Sequence, residues 1–372
     1  MKSRTLLLTL KVFSATGGIE KVCRVAGKAL YEWSVTNNTS FAVFSMHDHT
    51  ADADENRYFP RESFCGFGNR RWLFIWQALR AARSYDVVLL SHINLLPVAR
   101  LIRFFYPQKK IILFAHGIEI WGELNGFKKW LLRCCNFFLP VSQYTADKIV
   151  EMHGIRANQC KVLNNALDPY LPLGKEYTDK ASLKARYGLT DKDLVLFTLT
   201  RLSSKERYKG YDKVLQALVA LNTQFAQIKY LIAGSFDEEE RNYLIELATS
   251  LNVQNQLIIA GFIPDEDLVA HFSMADVYVM PSMKEGFGIV FIEAMFYGLP
   301  VIGGNRDGSV DALANGSLGM LVDPLNVDAI RQAIAHTLNE RETVQPNRSL
   351  LLEKFSYTSY KKRLEHVLFD VN

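Results

Sequence analysis

Long apolar runs are missing from this chain of 372 residues, because Lys, Arg, Asp or Glu interrupts each one before the ~18 residues needed to span a bilayer. A helical integral membrane protein is therefore not expected. The start, MKSRTLLLTLKVF, has a basic residue before a short apolar run, but Lys11 breaks that run, and it reads as a first strand rather than a leader. Cysteine is scarce: the five residues, two of them adjacent at Cys134 and Cys135, have no metal-ligand spacing and cannot all pair, which fits a reducing cytoplasm. There is no repeat of 20 to 50 residues and no low-complexity tract. Also absent is a GxGxxG turn followed by a suitably placed acid, so a dinucleotide oxidoreductase is the least favoured enzyme class.

What is present is globular. Hydrophobic residues make up 49%, and 43 basic against 39 acidic side chains give a net charge of +4. At ~100 to 200 residues per domain the length predicts two domains, with the cleft between them as the place to look for function. Strand-like runs alternate with amphipathic stretches: TLLLTLKV, FAVFSM, DVVLLSH, IILFAHG, FFLPVS and KVLNNA, then LVLFTLT, IKYLIAG, QLIIAGF, DVYVMPS and LPVIGG. Continuous apolar strands of this kind belong to parallel sheets covered on both faces, so the fold class is α/β, doubly wound twice. The stretch NNALDPYLPLGKEYTDK reads as a linker, placing the domains at 1–168 and 169–354. A C-terminal helix over 355–372 can dock on either domain, and the sequence does not decide which.

Charge is divided unevenly, +9 over residues 1–168 and −5 over 169–372. In the basic half, NRRWLFIWQALRAARS puts Trp72, Ile75, Trp76 and Leu79 at helical spacing among Arg70, Arg71, Arg80 and Arg83, and GFKKWLLRCCNFF is a second basic, aromatic stretch. Two readings stand: helices resting on an anionic membrane surface near a lipid-linked acceptor, or core-facing aromatics beside a solvated basic face. No nucleic-acid partner is expected.

The densest chemical signal is ADVYVMPSMKEGFGIVFIEAM. A strand runs into a loop holding Glu285, Gly286, Phe287 and Gly288, and a helix carrying Glu293 follows. Glycines let backbone N–H groups approach a ligand, and a helix start directs unpaired donors at an anion, so this is a phosphate seat. Each carboxylate can accept two neighbouring sugar hydroxyls, one at a transferred sugar and one at a ribose. Upstream, LVLFTLTRLSSKERYKGYDKVLQAL repeats the layout, with Arg201 at the strand end and Lys209 opening the helix. A guanidinium fork and a point charge together suit a leaving diphosphate, whereas Lys205 and Arg207 read as solvated.

These motifs resemble the glutamate, seven residues, glutamate signature of the retaining glycosyltransferase family 4, with the resemblance strongest from about 194 to 325. In the first half it rests on SATGGIEKV and HGIEIW. The resemblance implies a GT-B fold, two Rossmann-like domains facing a cleft, an N-terminal acceptor domain and a C-terminal nucleotide-sugar domain. It implies that Glu285 meets the donor sugar, Glu293 the ribose, Gly17 and Gly18 the diphosphate, and His116 the transferred sugar. Ile263, in GFIPDEDL, falls where the base is held through backbone contacts. Residue by residue, Gly17 and Gly18 also fit an ordinary strand-to-helix turn, and His116 a hydrogen-bonded structural histidine. After Gly303 and Gly304, NRDGSVDAL replaces the family's frequent proline-glutamate pair, so donor identity does not carry over. The triplet Asp52-Ala53-Asp54 resembles a metal-binding DxD, but no catalytic metal and no cofactor is expected beside such a phosphate site.

The expected activity is transfer of a sugar from a UDP- or GDP-sugar to a saccharide acceptor, polyprenyl-diphosphate-linked or soluble, by a cytoplasmic enzyme at the inner membrane face. A sugar-nucleotide epimerase or hydrolase, and a non-catalytic binding protein of the same fold, remain as alternatives.

Overall fold

The computed structural model describes residues 3–172, 180–341 and 343–370. Of the stretch read as a linker, residues 173–179 lie outside that set. Contacts divide the chain into Met1–Pro169 with Phe355–Asn372, and Tyr170–Lys354.

In the first unit six parallel strands, β1 (Thr5–Thr9), β2 (Phe41–Ser45), β3 (Phe64–Gly66), β4 (Val87–Leu90), β5 (Lys110–Ala115) and β6 (Phe137–Pro140), are ordered β3-β2-β1-β4-β5-β6. Strand β1 is buried along its whole length. Its alternation feeds two cores: Leu6 and Leu8 pack on one face, Leu7 on the other. The first face is covered by α2 (Arg71–Ala82), α3 (Leu96–Phe105), the short α4 (Ile118–Trp121), α5 (Gly126–Leu132) and α6 (Gln143–His153), which give Phe74, Ile102, Ile120, Leu131 and Ile149 to its core. The second is covered by α1 (Gly18–Asn37).

The second unit holds α7 (Lys180–Arg186), β7 (Leu194–Leu199), α8 (Tyr211–Gln224), β8 (Ile228–Ala233), α9 (Glu238–Ser250), β9 (Leu257–Gly261), α10 (Leu268–Met274), β10 (Val277–Met280), α11 (Ile289–Phe296), β11 (Val301–Gly304), α12 (Ser309–Ala312), β12 (Met320–Val322), α13 (Val327–Asn339) and α14 (Arg348–Phe355). Its strand order is β12-β11-β10-β7-β8-β9, again all parallel. Helices α8 and α13 share one core through Val214, Leu218, Ile330 and Ile334. The last helix, α15 (Tyr357–Glu365), settles the C-terminal ambiguity: Tyr360 and Leu364 enter the α1 side of the first unit's core, and Lys361 Nζ donates to Glu32 Oε2 at 2.8 Å.

The strands differ from the sequence expectation in three places. The short strands β3 and β12 were not anticipated, and KVLNNA forms no strand. That segment runs beside β6, donating from Lys161 N to Phe138 O and from Leu163 N to Pro140 O, both at 2.9 Å, but the pairing stops at an isolated bridge. All five cysteines are free thiols.

Candidate active site

Strand order fixes where ligands can bind. In each sheet the winding reverses once, between β1 and β4 and between β7 and β10, and the carboxyl ends of the strands flanking such a reversal leave an open crevice. In the second unit the loops leaving β7 and β10 carry Arg201, Lys209 and Glu285.

These loops are joined to each other. Met283 N donates to Tyr208 O at 2.9 Å, and Lys209 Nζ donates to Glu285 Oε2. Only 14% of the Lys209 side chain and 18% of Glu285 are exposed. Burial alone would lower the Lys209 pKa, but the facing Glu285 carboxylate outweighs it and the ammonium is held above its ordinary value. Lys209 is therefore a charged group kept in a water-poor setting. Arg201 is mostly exposed and turns to Glu206, with Nε at 3.0 Å from Oε1. The structure thus brings Lys209 to Glu285 and Arg201 to Glu206.

The Glu285 loop is shaped by Asp307. This carboxylate accepts from Glu285 N at 2.6 Å and from Ser309 N at 2.9 Å, and Gly308 N donates back to Glu285 O at 2.8 Å. Burial pushes the Asp307 carboxyl up to about 6, against the hydrogen bonds from Ser309 and Glu285. The two segments touch so closely that a Cβ on Gly308 would lie 2.0 Å from Gly286 O. Gly288, at φ 85°, caps α11 in the left-handed region that glycine adopts without strain. The first N–H groups of that helix have no intrahelical acceptor. Glu293 lies on its buried side at 3% exposure, Phe287 is buried, and the Ile263 side chain is buried at 6%.

Arg207, expected to be solvated, keeps 40% of its side chain exposed but is tied into a network. Its Nε donates to both oxygens of Glu240 at 3.1 and 2.9 Å, its guanidinium lies 3.7 Å from the Tyr243 ring centroid, and Tyr211 Oη donates to Glu240 Oε1 at 2.7 Å. Glu240 is fully buried. The network pins the turn that presents Lys209.

In the first unit, Gly17 and Gly18 lie exposed where α1 begins. A Cβ on Gly18 would meet nothing within 4 Å. The loop before them is held by Asp48, a residue that no motif singles out. Its buried carboxylate accepts from Val12 N at 2.6 Å, Ser14 N at 3.0 Å and Ser45 Oγ at 2.7 Å, and from the Ser14 hydroxyl. His116 follows β5. Its Nε2–H donates to Ser91 O at 2.8 Å, and Glu119 Oε1 accepts its backbone N–H at 2.6 Å. A carbonyl only accepts, so the bond fixes the tautomer with Nδ1 as the open lone pair. Burial lowers the His116 pKa, leaving the ring neutral near pH 7.

The DxD-like triplet is committed locally. Asp52 accepts from His49 N at 2.9 Å and Asp54 pairs with Arg61. Among the described residues no helix is long and apolar enough to cross a membrane.

Residues 179–350 match the family Glycosyl transferases group 1, and residues 16–170 match Glycosyltransferase Family 4. The chain is 32% identical over 249 residues to a GDP-mannose-dependent α-(1-6)-phosphatidylinositol monomannoside mannosyltransferase of Mycolicibacterium smegmatis, covering 62% of this chain and 61% of that protein. It is 26% identical over 279 residues to the capsular polysaccharide biosynthesis glycosyltransferase CapM of Staphylococcus aureus, covering 70% of each. Anabaena HepE, solved in complex with UDP, superimposes with a TM-score of 0.80 at 19% identity over 99% of this chain and 100% of that one.

Proposed function

We propose, since this chain belongs to glycosyltransferase family 4, that it moves a sugar from a nucleoside diphosphate sugar to an acceptor hydroxyl with retention at the anomeric carbon. The observation that carries the reading is the Lys209–Glu285 pair joining two loops at the winding reversal of the second sheet, beside the start of α11. Lys209, Arg201 and the helix N-terminus are the groups that meet the diphosphate. Glu285, Gly286, Phe287 and Gly288 line the donor sugar's seat, Glu293 receives the ribose hydroxyls, and the base lies along the backbone at Ile263. By the family resemblance, Gly17 and Gly18 are assigned to the diphosphate and His116 to the transferred sugar.

No enzymic nucleophile is needed. The bond from the anomeric carbon to the β-phosphate oxygen breaks as the acceptor oxygen bonds to the same face, and the acceptor's proton passes to that phosphate oxygen. The nucleoside diphosphate then departs. Charge develops on the leaving group, and a preorganised ammonium stabilises it there more strongly than water could. The reaction proceeds on these side chains without metal or cofactor.

The donor is a UDP- or GDP-sugar, in keeping with the ligand of HepE and the name of the mycobacterial relative. The acceptor is a lipid-linked or surface-polysaccharide saccharide, in keeping with the names of both sequence relatives, and it is met at the cytoplasmic membrane face. The test is release of nucleoside diphosphate from UDP-, GDP- and ADP-sugars with and without lipid-linked acceptors. Acceptor-dependent release from one UDP- or GDP-sugar is expected. Equal release without any acceptor would reassign the protein as a hydrolase, and conversion of a nucleotide sugar to its isomer without net release would reassign it as an epimerase.

A further inference from the structure

Soluble surfaces scatter large apolar side chains singly, and contiguous apolar patches mark interaction sites. In the first unit they are gathered. Trp72 (84% exposed) and Trp76 (54%) stand on α2, Leu101, Phe104 (76%) and Phe105 on α3, and Phe127 (62%) and Trp130 on α5. Helix α2 packs against α3 and α3 against α5. All three bury their opposite sides in one core, through Phe74 and Ala78, Ala99 and Ile102, and Leu131 and Leu132. Their exposed sides therefore form one outer surface. Of the two sequence readings for these stretches, the core-facing one fails for both tryptophans of α2.

Cations are built into that surface. The Arg100 guanidinium lies 4.1 Å from the Trp130 ring centroid, bridging α3 and α5, and Arg80 lies 5.6 Å from Trp76. Arg71, Arg83, Lys128 and Arg133 are exposed around the aromatics. From Ser63 to Ala146 the sequence has eleven Lys and Arg against three acids, Asp86, Glu119 and Glu123, and none of the three lies within α2, α3 or α5.

We propose that this face docks on a bilayer surface containing anionic phospholipids. The charge complementarity decides the occupant. A second copy of the chain would bring the same cations against themselves, whereas an anionic headgroup plane meets all of them at once while the indole and phenyl rings enter the headgroup boundary. The inference deepens the proposed reading of an acceptor met at the membrane face and rests on it for its setting, while vesicle binding is measured without donor or acceptor, so its failure is distinct from a failure of sugar transfer.

Flotation of the full chain with phosphatidylcholine vesicles, with and without phosphatidylglycerol, tests it. Binding to the anionic vesicles at low salt, weakened by 0.5 M salt, is expected. The double variant Trp72→Ser/Trp76→Ser should lose about tenfold or more in vesicle affinity. Arg71→Gln and Lys128→Gln should each lose about fivefold. These side chains are exposed, and unchanged circular dichroism and donor binding confirm that each variant is folded. No association with anionic vesicles at low salt, or association untouched by both sets of variants, overturns the proposal. So does a stable dimer that dissociates in the tryptophan variant, which would assign the face to a second copy.

Discussion

Replacing Lys209 with alanine isolates the proposed leaving-group charge from the rest of the fold. The ammonium sits against Glu285 with 14% of its side chain exposed, where solvent screens little. A preorganised donor at developing charge is worth ~10²- to 10³-fold in turnover, or about 2.7–4 kcal/mol of barrier. The substitution also strips Glu285 of its ion-pair partner. Because that carboxylate keeps some solvent access and its backbone N–H stays bound to Asp307, the stability cost is on the order of 1–3 kcal/mol. Folded proteins typically hold about 5–15 kcal/mol of stability, so a loss of this size leaves the variant folded. Urea denaturation and circular dichroism should therefore report a folded variant. Nucleoside diphosphate release at saturating donor should fall by about 100-fold or more, with a much smaller change in KM. A folded variant with turnover close to wild type refutes the reasoning.

Three further outcomes follow from the geometry. A methyl group on Gly18 meets no protein atom, so Gly18→Ala should leave stability unchanged while raising the KM for donor; an unchanged KM would remove Gly18 from the ligand's surroundings. Asp48→Ala strands Val12 N and Ser14 N, and urea unfolding should register a loss on the order of 3 kcal/mol; a loss below about 0.5 kcal/mol would mean the loop before α1 does not depend on it. Asp307 binds its proton more tightly folded, at about 6, than unfolded, at ~3.9. Its contribution to stability is therefore greatest below the unfolded value and declines as pH rises to about 6, by on the order of 2–3 kcal/mol. Wild type minus Asp307→Asn should show that decline between pH 4 and 7, and a flat difference would contradict it.

Much of the architecture was legible because buried parallel strands write themselves as apolar runs, and ten of the eleven runs read from the sequence are strands. The exceptions have local causes. β3 and β12 are three residues each, too short to build a pattern, while KVLNNA has strand composition but lies at the margin of the sheet beside β6. The Glu285 loop was visible because its glycines and flanking strand and helix are contiguous. What organises that loop was not, since Asp307 acts 22 residues away. The same holds for Arg207, which looks solvated in SSKERYKG until Glu240, 33 residues on, is found buried against it. Asp48 reaches back 36 residues to Val12. Such partners carry no periodic signal because tertiary packing alone brings them together.

Hydrogen exchange with and without nucleoside diphosphate tests most directly whether the winding reversal of the second sheet is the donor site. Uridine or guanosine diphosphate should slow exchange across residues 201–212 and 283–293, and Lys209→Ala should need a higher nucleotide concentration for the same protection, because the free diphosphate carries the full charge that the donor develops only on leaving. Saturating nucleotide that protects other segments and leaves both of these unchanged would contradict the account.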